Sequence, residues 1–281
     1  MTDGSNHQNP RRSRWLADLR LALMLLTRLP LPAGKFTSPD DGAVARAAWI
    51  FPVVGLLVGS AGGGVFMLAS YLGLGMASAA LLAMGTQVLL TGALHEDGLA
   101  DTADGFGGGR SRERKLEIMR DSRIGTYGVV ALVLILSLRF TALQDIASNL
   151  LSISDELEEA AGQNSAVIIA LIAAGALSRA AMAIVWYLLP PARSDGLAAG
   201  SGSVSFGSAV AAAVIAALIA FATLPGFAFV VACGAAAVLA VAVAALAQWQ
   251  IRGHTGDVLG TAQQVAEVGV LLAIGAATLA A

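Results

Sequence analysis

Between His95 and Gly109 the chain reads HEDGLADTADGFGGG, setting three carboxylates beside a histidine and a run of glycines. If this stretch is helical, Asp101 lies about 40° round from Asp97 and Asp104 about 20° the other way, so all three share one narrow face. Acids so crowded repel one another unless a cation sits among them. Hard oxygen ligands select Mg²⁺, Mn²⁺ or Ca²⁺, and Mg²⁺ bound to a few carboxylates and a phosphate is the usual partnership. Asp97, Asp101 and Asp104 are therefore the metal-ligand candidates. An ordinary solvated acidic loop is the plain alternative.

Other groups cluster round this run. His95 points about 160° away from Asp97 on a helix, and joins the site only if the helix breaks, which Gly98 permits. Metal ligand, base and plain interface histidine all stay open for it. Glu96 points sideways, to solvent. Gly105 and Gly107–Gly109 lead into a basic helix from Ser111 to Arg120, and amides exposed by such glycines can approach a phosphate. Arg120, Asp121 and Arg123 close the loop and are candidates to bind substrate. Arg112, Arg114 and Lys115 read as a positive anchor. Arg179 lies inside an apolar segment, where an arginine needs a carboxylate or phosphate partner. Arg139 reads as structural. Asp257 opens the last apolar segment as a second acid, with N-capping as its bland role; Gln263, Gln264 and Glu267 follow at helical spacing.

The elements that position these groups are membrane helices. Hydrophobic residues are 57 % of the 281 and charged residues only 13 %, about half the usual share of a soluble domain. An unpaired carboxylate at mid-bilayer costs about 2.5–3.5 kcal/mol, and three would cost roughly 8–10 kcal/mol, close to a whole protein's stability. The acids therefore sit at the water boundary or bind something positive. Seven stretches approach the roughly 20 residues needed to cross a bilayer: about 47–72, 76–95, 124–144, 165–189, 206–224, 227–250 and 262–280. Residues 1–14 read as a disordered tail, Trp15 to Leu29 as an interfacial helix ended by Pro30 and Pro32, and 15–281 as one membrane-embedded domain. Arg11-Arg12 does not open an export signal, because the apolar run after it is broken by Asp18 and Arg20.

Lys and Arg collect in the loop after the second span, whereas Asp145, Asp155, Glu156, Glu158 and Glu159 collect after the third. The positive-inside rule then turns loops 95–123, 190–205 and 251–261 to the cytoplasm. Gly55, Gly59 and Gly63 form a close-packing face that serves either the bundle or a homodimer. The net charge of −2 gives no reason to expect nucleic acid, and Cys233, the single cysteine, reads as a buried inert thiol.

Taken together, these motifs resemble the cobalamin synthase (adenosylcobinamide-GDP ribazoletransferase) family. The likeness rests on Leu26-Thr27-Arg28-Leu29-Pro30-Leu31-Pro32, the HEDGLADTADGFGGG run, and Leu116-Glu117-Ile118-Met119-Arg120-Asp121-Ser122-Arg123-Ile124-Gly125. Ser178-Arg179, Asp195-Gly196-Leu197 and Thr255-Gly256-Asp257-Val258-Leu259-Gly260 add to it. Glu96, where an apolar residue is expected, and Arg252-Gly253, in place of Gly-Gly, depart from it. Asp101-Thr102-Ala103-Asp104-Gly105 is also similar to the opening of the CDP-alcohol phosphotransferase motif, although the Ala-Arg that should follow is absent.

The resemblance implies a polytopic all-α bundle of about seven spans in the cell inner membrane, with a CDP-alcohol-phosphotransferase-like site facing the cytoplasm. It implies joining of adenosylcobinamide-GDP to α-ribazole (or its 5′-phosphate), release of GMP, and dependence on Mg²⁺. It adds Arg28 to Gly105, Arg120, Asp121, Arg123, Arg179 and Asp257 as substrate-binding candidates. Asp104, or else His95, becomes the general base. A phospholipid-forming CDP-alcohol phosphotransferase is the first alternative and a membrane transporter the second.

Overall fold

Small residues decide how this chain packs. In the computed structural model, which describes residues 10–31, 42–148, 156–193 and 202–279, every regular element is a helix. The first is α1 (Pro10–Leu26), starting inside the stretch read as a tail; residues 1–9 lie outside the described residues. Next come α2 (Ala43–Ala47), a 3₁₀ turn (Ala48–Ile50) and α3 (Phe51–Tyr71), which together make one 29-residue apolar unit. Trp49 Nε1 donates to Asp18 at 3.0 Å, tying α1 to that turn.

The chain continues as α4 (Met76–Thr91), α5 (Leu94–Gly108), α6 (Arg112–Ile118), α7 (Thr126–Ser148) and α8 (Glu156–Leu188), then α9 (Phe206–Thr223), α10 (Gly226–Ile251) and α11 (Gly256–Leu279). Six units are long and apolar enough to cross a membrane, and seven if α4 and α5 count as one broken span. The seventh span starts at Gly256 rather than 262, because Thr255 caps it: its hydroxyl accepts from the Val258 amide at 3.3 Å. Most of the acidic loop after the third span lies outside the described residues.

Helices α8 and α11 form the centre, with 78 % of each apolar window buried against 22–28 % for α7, α9 and α10. Helix α3 lies against α8 through the glycine face. A Cβ on Gly55 would stand 2.0 Å from the Gly175 carbonyl, one on Gly59 2.3 Å from that of Leu171, and one on Gly63 3.0 Å from Ile168. That face serves the bundle. Alanines do the same for the outer helices: Ala209, Ala212, Ala216 and Ala220 on α9 and Ala228, Ala232, Ala236 and Ala240 on α10 are buried. Phe206, Leu218, Phe221, Val230, Val238 and Trp249 point outward, as a lipid-facing surface requires. Cys233 is half-buried on α10 rather than buried.

The feature that creates the site is a sharp corner. Helix α4 ends in a Schellman motif, Gly92 N–H donating to Leu89 and Ala93 N–H to Val88 at 3.2 and 2.9 Å. Gly92 and Ala93 both take left-handed backbone, with φ of 65° and 58°. The chain leaves at 86°, so α5 crosses the end of α4 instead of prolonging it. A Cβ on Gly92 would strike the Arg28 side chain at 2.3 Å, which shows where Arg28 lies: packed over the corner.

Candidate functional site

The three loops expected to share one side of the membrane are joined at one end of the bundle. Arg112 reaches from α6 to the Ile251 carbonyl at 2.8 Å and the Ala192 carbonyl at 2.5 Å. Arg193 donates to Leu116 O at 2.8 Å. His254 N–H donates to Pro190 O and His254 O accepts from Ala192, each at 2.8 Å. Lys115 also pairs with Gln250.

Above this platform α5 presents its acids. The helix runs unbroken from Leu94 to Gly108, so Gly98 is no break point. Its missing side chain instead admits α11, because a Cβ there would lie 2.9 Å from the Asp257 carbonyl. Gly260 does the same from the other side, 3.3 Å from the His95 backbone. Thr261 closes the contact by donating to Gly98 O and Asp257 O at 3.2 and 2.9 Å. This crossing brings Asp257 onto the acid face of α5, where it is the strongest charged neighbour of Asp101, ahead of Asp97 and Asp104. Asp257 is not the N-cap of α11; Thr255 caps, and its hydroxyl donates to Asp257 at 3.1 Å.

The α5 acids differ in how they are satisfied. Asp104 is buried and accepts the Gly125 amide at 2.6 Å and the Gly128 amide at 2.9 Å. It thus caps the N-terminus of α7 from another helix. Both glycines are required for this, since a Cβ on either would stand 2.4 Å from the carboxylate. Asp97 and Asp101 carry no side-chain hydrogen bond among the described residues. As they stand, no three His, Cys, Asp or Glu side chains among the described residues are close enough to hold one ion. The donor chemistry nevertheless suits a hard cation, with Asp97, Asp101 and Asp257 all oxygen donors and mutually repelling.

Several expected groups turn out to have protein partners. Gly105 packs on α6, a Cβ there meeting Met119 at 2.4 Å, and Gly107 packs under the Tyr127 ring. Asp121 and Arg123 pair with each other on the surface, Arg123 donating from Nε at 3.0 Å and from Nη2 at 2.6 Å. That forked pair holds the Asp121 carboxyl down at about 2. Arg179 finds the carboxylate it needs in Glu267, at 2.7 Å. Arg139 joins the same acid and also donates to Gln87 at 2.7 Å. Glu96 is buried rather than solvent-facing, accepting from Gln264 at 3.0 Å and lying 3.9 Å from Arg139. Its neighbour Asp97, about 100° further round the helix, is exposed.

Two cavities flank the acids. One, of about 750 Å³, lies between α6 and Pro191–Arg193, and Arg112, Arg120 and Arg193 line it together with Glu113 and Glu117. Arg193 also exerts its charge on both Asp101 and Asp257, which couples this cleft electrostatically to the acid cluster. Arg193 is the residue that sequence reading overlooked; its only signal was a place in a loop turned to the same side. The second cavity, about 230 Å³, is apolar except where His95, Asp97 and Asp257 reach it.

Comparison with known proteins decides the family. The description "Cobalamin-5-phosphate synthase" matches residues 18–275. The chain belongs to the cobalamin-5-phosphate synthase family. It is 49 % identical over 265 residues to an adenosylcobinamide-GDP ribazoletransferase of Bradyrhizobium diazoefficiens, covering 93 % of this chain and 94 % of the relative. A protein of the same name from Mesorhizobium japonicum is 46 % identical over 257 residues, covering 92 % of each. One from Azorhizobium caulinodans is 44 % identical over 272 residues, covering 94 % of this chain and 97 % of its own. No solved structure matches. As a member of the cobalamin-5-phosphate synthase family, the chain is a membrane-embedded transferase of cobalamin biosynthesis.

Proposed function

We propose that the chain transfers the corrinoid phosphate of adenosylcobinamide-GDP to α-ribazole or its 5′-phosphate, releasing GMP. The observation that carries this reading is the place of Arg193, which lines the arginine-bearing cleft and exerts its charge on Asp101 and Asp257. A diphosphate ester lying there meets cationic side chains at one end and carboxylates fit for a cation at the other. The cleft volume of about 750 Å³ is within the roughly 300–1,000 Å³ typical of ligand sites.

In this scheme Arg120 and Arg193 bind phosphate oxygens of the GDP half. Asp97, Asp101 and Asp257 would hold Mg²⁺, which when bound neutralises charge on the diphosphate. A ribose hydroxyl of the acceptor attacks the phosphorus nearest the corrinoid. One P–O bond forms, the P–O bond to GMP breaks, and the hydroxyl proton leaves to a carboxylate. Asp104 is not assigned that proton, because it has both oxygens on amides. GMP departs as a phosphate and needs no strong acid. Asp104 acts by anchoring α7, and with it the Asp121–Gly125 loop. Arg28, packed over the Gly92 corner, steadies the start of α5.

The basic residues at this end support a site on the cytoplasmic face of the inner membrane. The test is purified protein in nanodiscs with Mg²⁺, given adenosylcobinamide-GDP plus α-ribazole or CDP-diacylglycerol plus an alcohol. GMP release only with the first pair is expected; CMP release from the second overturns the assignment.

A further inference from the structure

The smaller cavity is walled by Leu25 and Leu26 of α1, Val44 of α2, Phe51 of α3, Met182 and Trp186 of α8, and Leu259 of α11. Leu26, Phe51, Met182, Trp186 and Leu259 are all at most 6 % exposed, so these walls are built by the core and not by a surface fold. Polar side chains enter it at three points. Asp97 and Asp257 stand where the cavity meets the acid cluster. His95, only 1 % exposed, is part of its lining, and its buried Nε2 has no hydrogen-bond partner among the described residues. Trp186 offers nothing polar, its N–H being spent on the Gly202 carbonyl at 3.2 Å.

We propose that this cavity is the subsite for the heteroaromatic base of the acceptor nucleoside, with His95 as the residue that positions it. The inference rests on the transfer reading above and goes beyond it by assigning the two substrates to different cavities. Size comes first. A dry cavity of about 150 Å³ takes benzene, so 230 Å³ suits a two-ring base, whereas a corrin or a whole nucleotide is too large.

Chemistry then separates the possible bases. Guanine carries donors and acceptors along three edges, and each one buried without a partner costs roughly 1–3 kcal/mol. A benzimidazole presents a flat apolar face and one ring-nitrogen acceptor, which a single histidine N–H satisfies. With the base seated against Phe51, Met182 and Trp186, the attached ribose projects toward Asp97 and Asp257, where its hydroxyl is needed. His95 is thereby a positioning residue rather than the general base.

Binding is measured by equilibrium dialysis of free benzimidazole, and separately of GDP, against the full chain in nanodiscs, with no donor present. Wild type is expected to bind both. Val44→Phe, which fills the cavity from α2, and Leu25→Trp, which fills it from α1, should each weaken benzimidazole at least tenfold and leave GDP within twofold. His95→Ala should weaken it about fivefold or more, and His95→Gln, which keeps an N–H donor, should restore most of the loss.

Retained GDP binding certifies that a variant is folded. In turnover, the filled variants should raise KM for α-ribazole and not for adenosylcobinamide-GDP. Unchanged benzimidazole binding in a folded, filled variant overturns the proposal. Because dialysis needs no turnover, a wild type that binds benzimidazole and GDP but forms no GMP condemns the transfer reading and leaves the subsite standing.

Discussion

Helices α5 and α11 each carry acid at two depths, and the two levels are treated in opposite ways. At the mouth, Asp97, Asp101 and Asp257 face one another, and Asp97 and Asp101 have no hydrogen-bond donor among the described residues. Deeper, Glu96 and Glu267 meet Arg139 and Arg179, with Gln87, Gln263, Gln264 and Ser178 filling in. The inner level balances two guanidiniums against two carboxylates; the outer one leaves negative charge in excess. Asp257 and Glu267 lie ten residues apart, about 15 Å along one helix. Charge that the fold neutralises holds helices together, and charge that it leaves exposed awaits a ligand.

The largest effect should come from the mouth. Asp101→Asn removes a charge that no hydrogen bond or ion pair among the described residues satisfies and that three neighbouring acids oppose, so folding should be untouched or slightly improved. Turnover should fall at least 1,000-fold, measured as GMP release at saturating Mg²⁺. Near-normal rates would erase the contrast between the two levels. Glu267→Gln is the converse. It leaves two buried guanidiniums facing a neutral amide, and breaking a buried pair typically costs about 3–5 kcal/mol. Thermal unfolding in detergent should show that loss, and the surviving folded fraction should still turn over. A variant that melts like wild type would show that the inner level is not structural.

Asp104→Asn sharpens the comparison, because Asp104 sits on the outer face yet is tied down like an inner residue. An asparagine keeps one acceptor oxygen of the two now used by Gly125 and Gly128. A lost cap is worth about 0.5–2 kcal/mol, so stability should drop by that much and turnover by roughly 10- to 100-fold. Gly128→Ala, which pushes the carboxylate away, should reproduce both changes. If the Mg²⁺ concentration needed for half activity rises instead, Asp104 belongs with the ligands.

How far the sequence could foretell this follows from what each residue needs. The spans were legible because crossing a bilayer demands long apolar runs, and the shared acid face because helical angle is fixed by spacing. The 86° corner was not, since Gly92 looks like any glycine until its backbone turns left-handed. The partners of Arg139 and Arg179 were hidden too. Glu267 lies 88 residues from Arg179, and nothing local marks it as buried. Glu96 was misread because a helix that lies across the bundle has no solvent side at that position. Asp257 stood out as an acid opening a span, but its meeting with Asp101 depends on Gly98 and Gly260 letting two helices touch.

The smallest effect concerns a base beside the mouth that carries no charge at all. His254 is 1 % exposed, its ring 5.9 Å from that of Trp186, while its backbone knits α10–α11 to Pro190 and Ala192. Burial brings its imidazole down from 6.5 to about 4. The folded pKa lies below the unfolded one, so above pH 6.5 both states are neutral and His254 adds no pH dependence. As pH falls from 6.5 towards 4 the unfolded chain takes up a proton that the folded chain refuses, and stability is lost across that window. Each unit of separation is worth about 1.4 kcal/mol at most. His254→Gln should therefore flatten the fall in melting temperature between pH 6.5 and 4 without altering stability near pH 8 by more than about 1 kcal/mol. A variant whose acid sensitivity matches wild type would shift the blame to the carboxylates of the mouth, and the neutral neighbour would have to be counted with them.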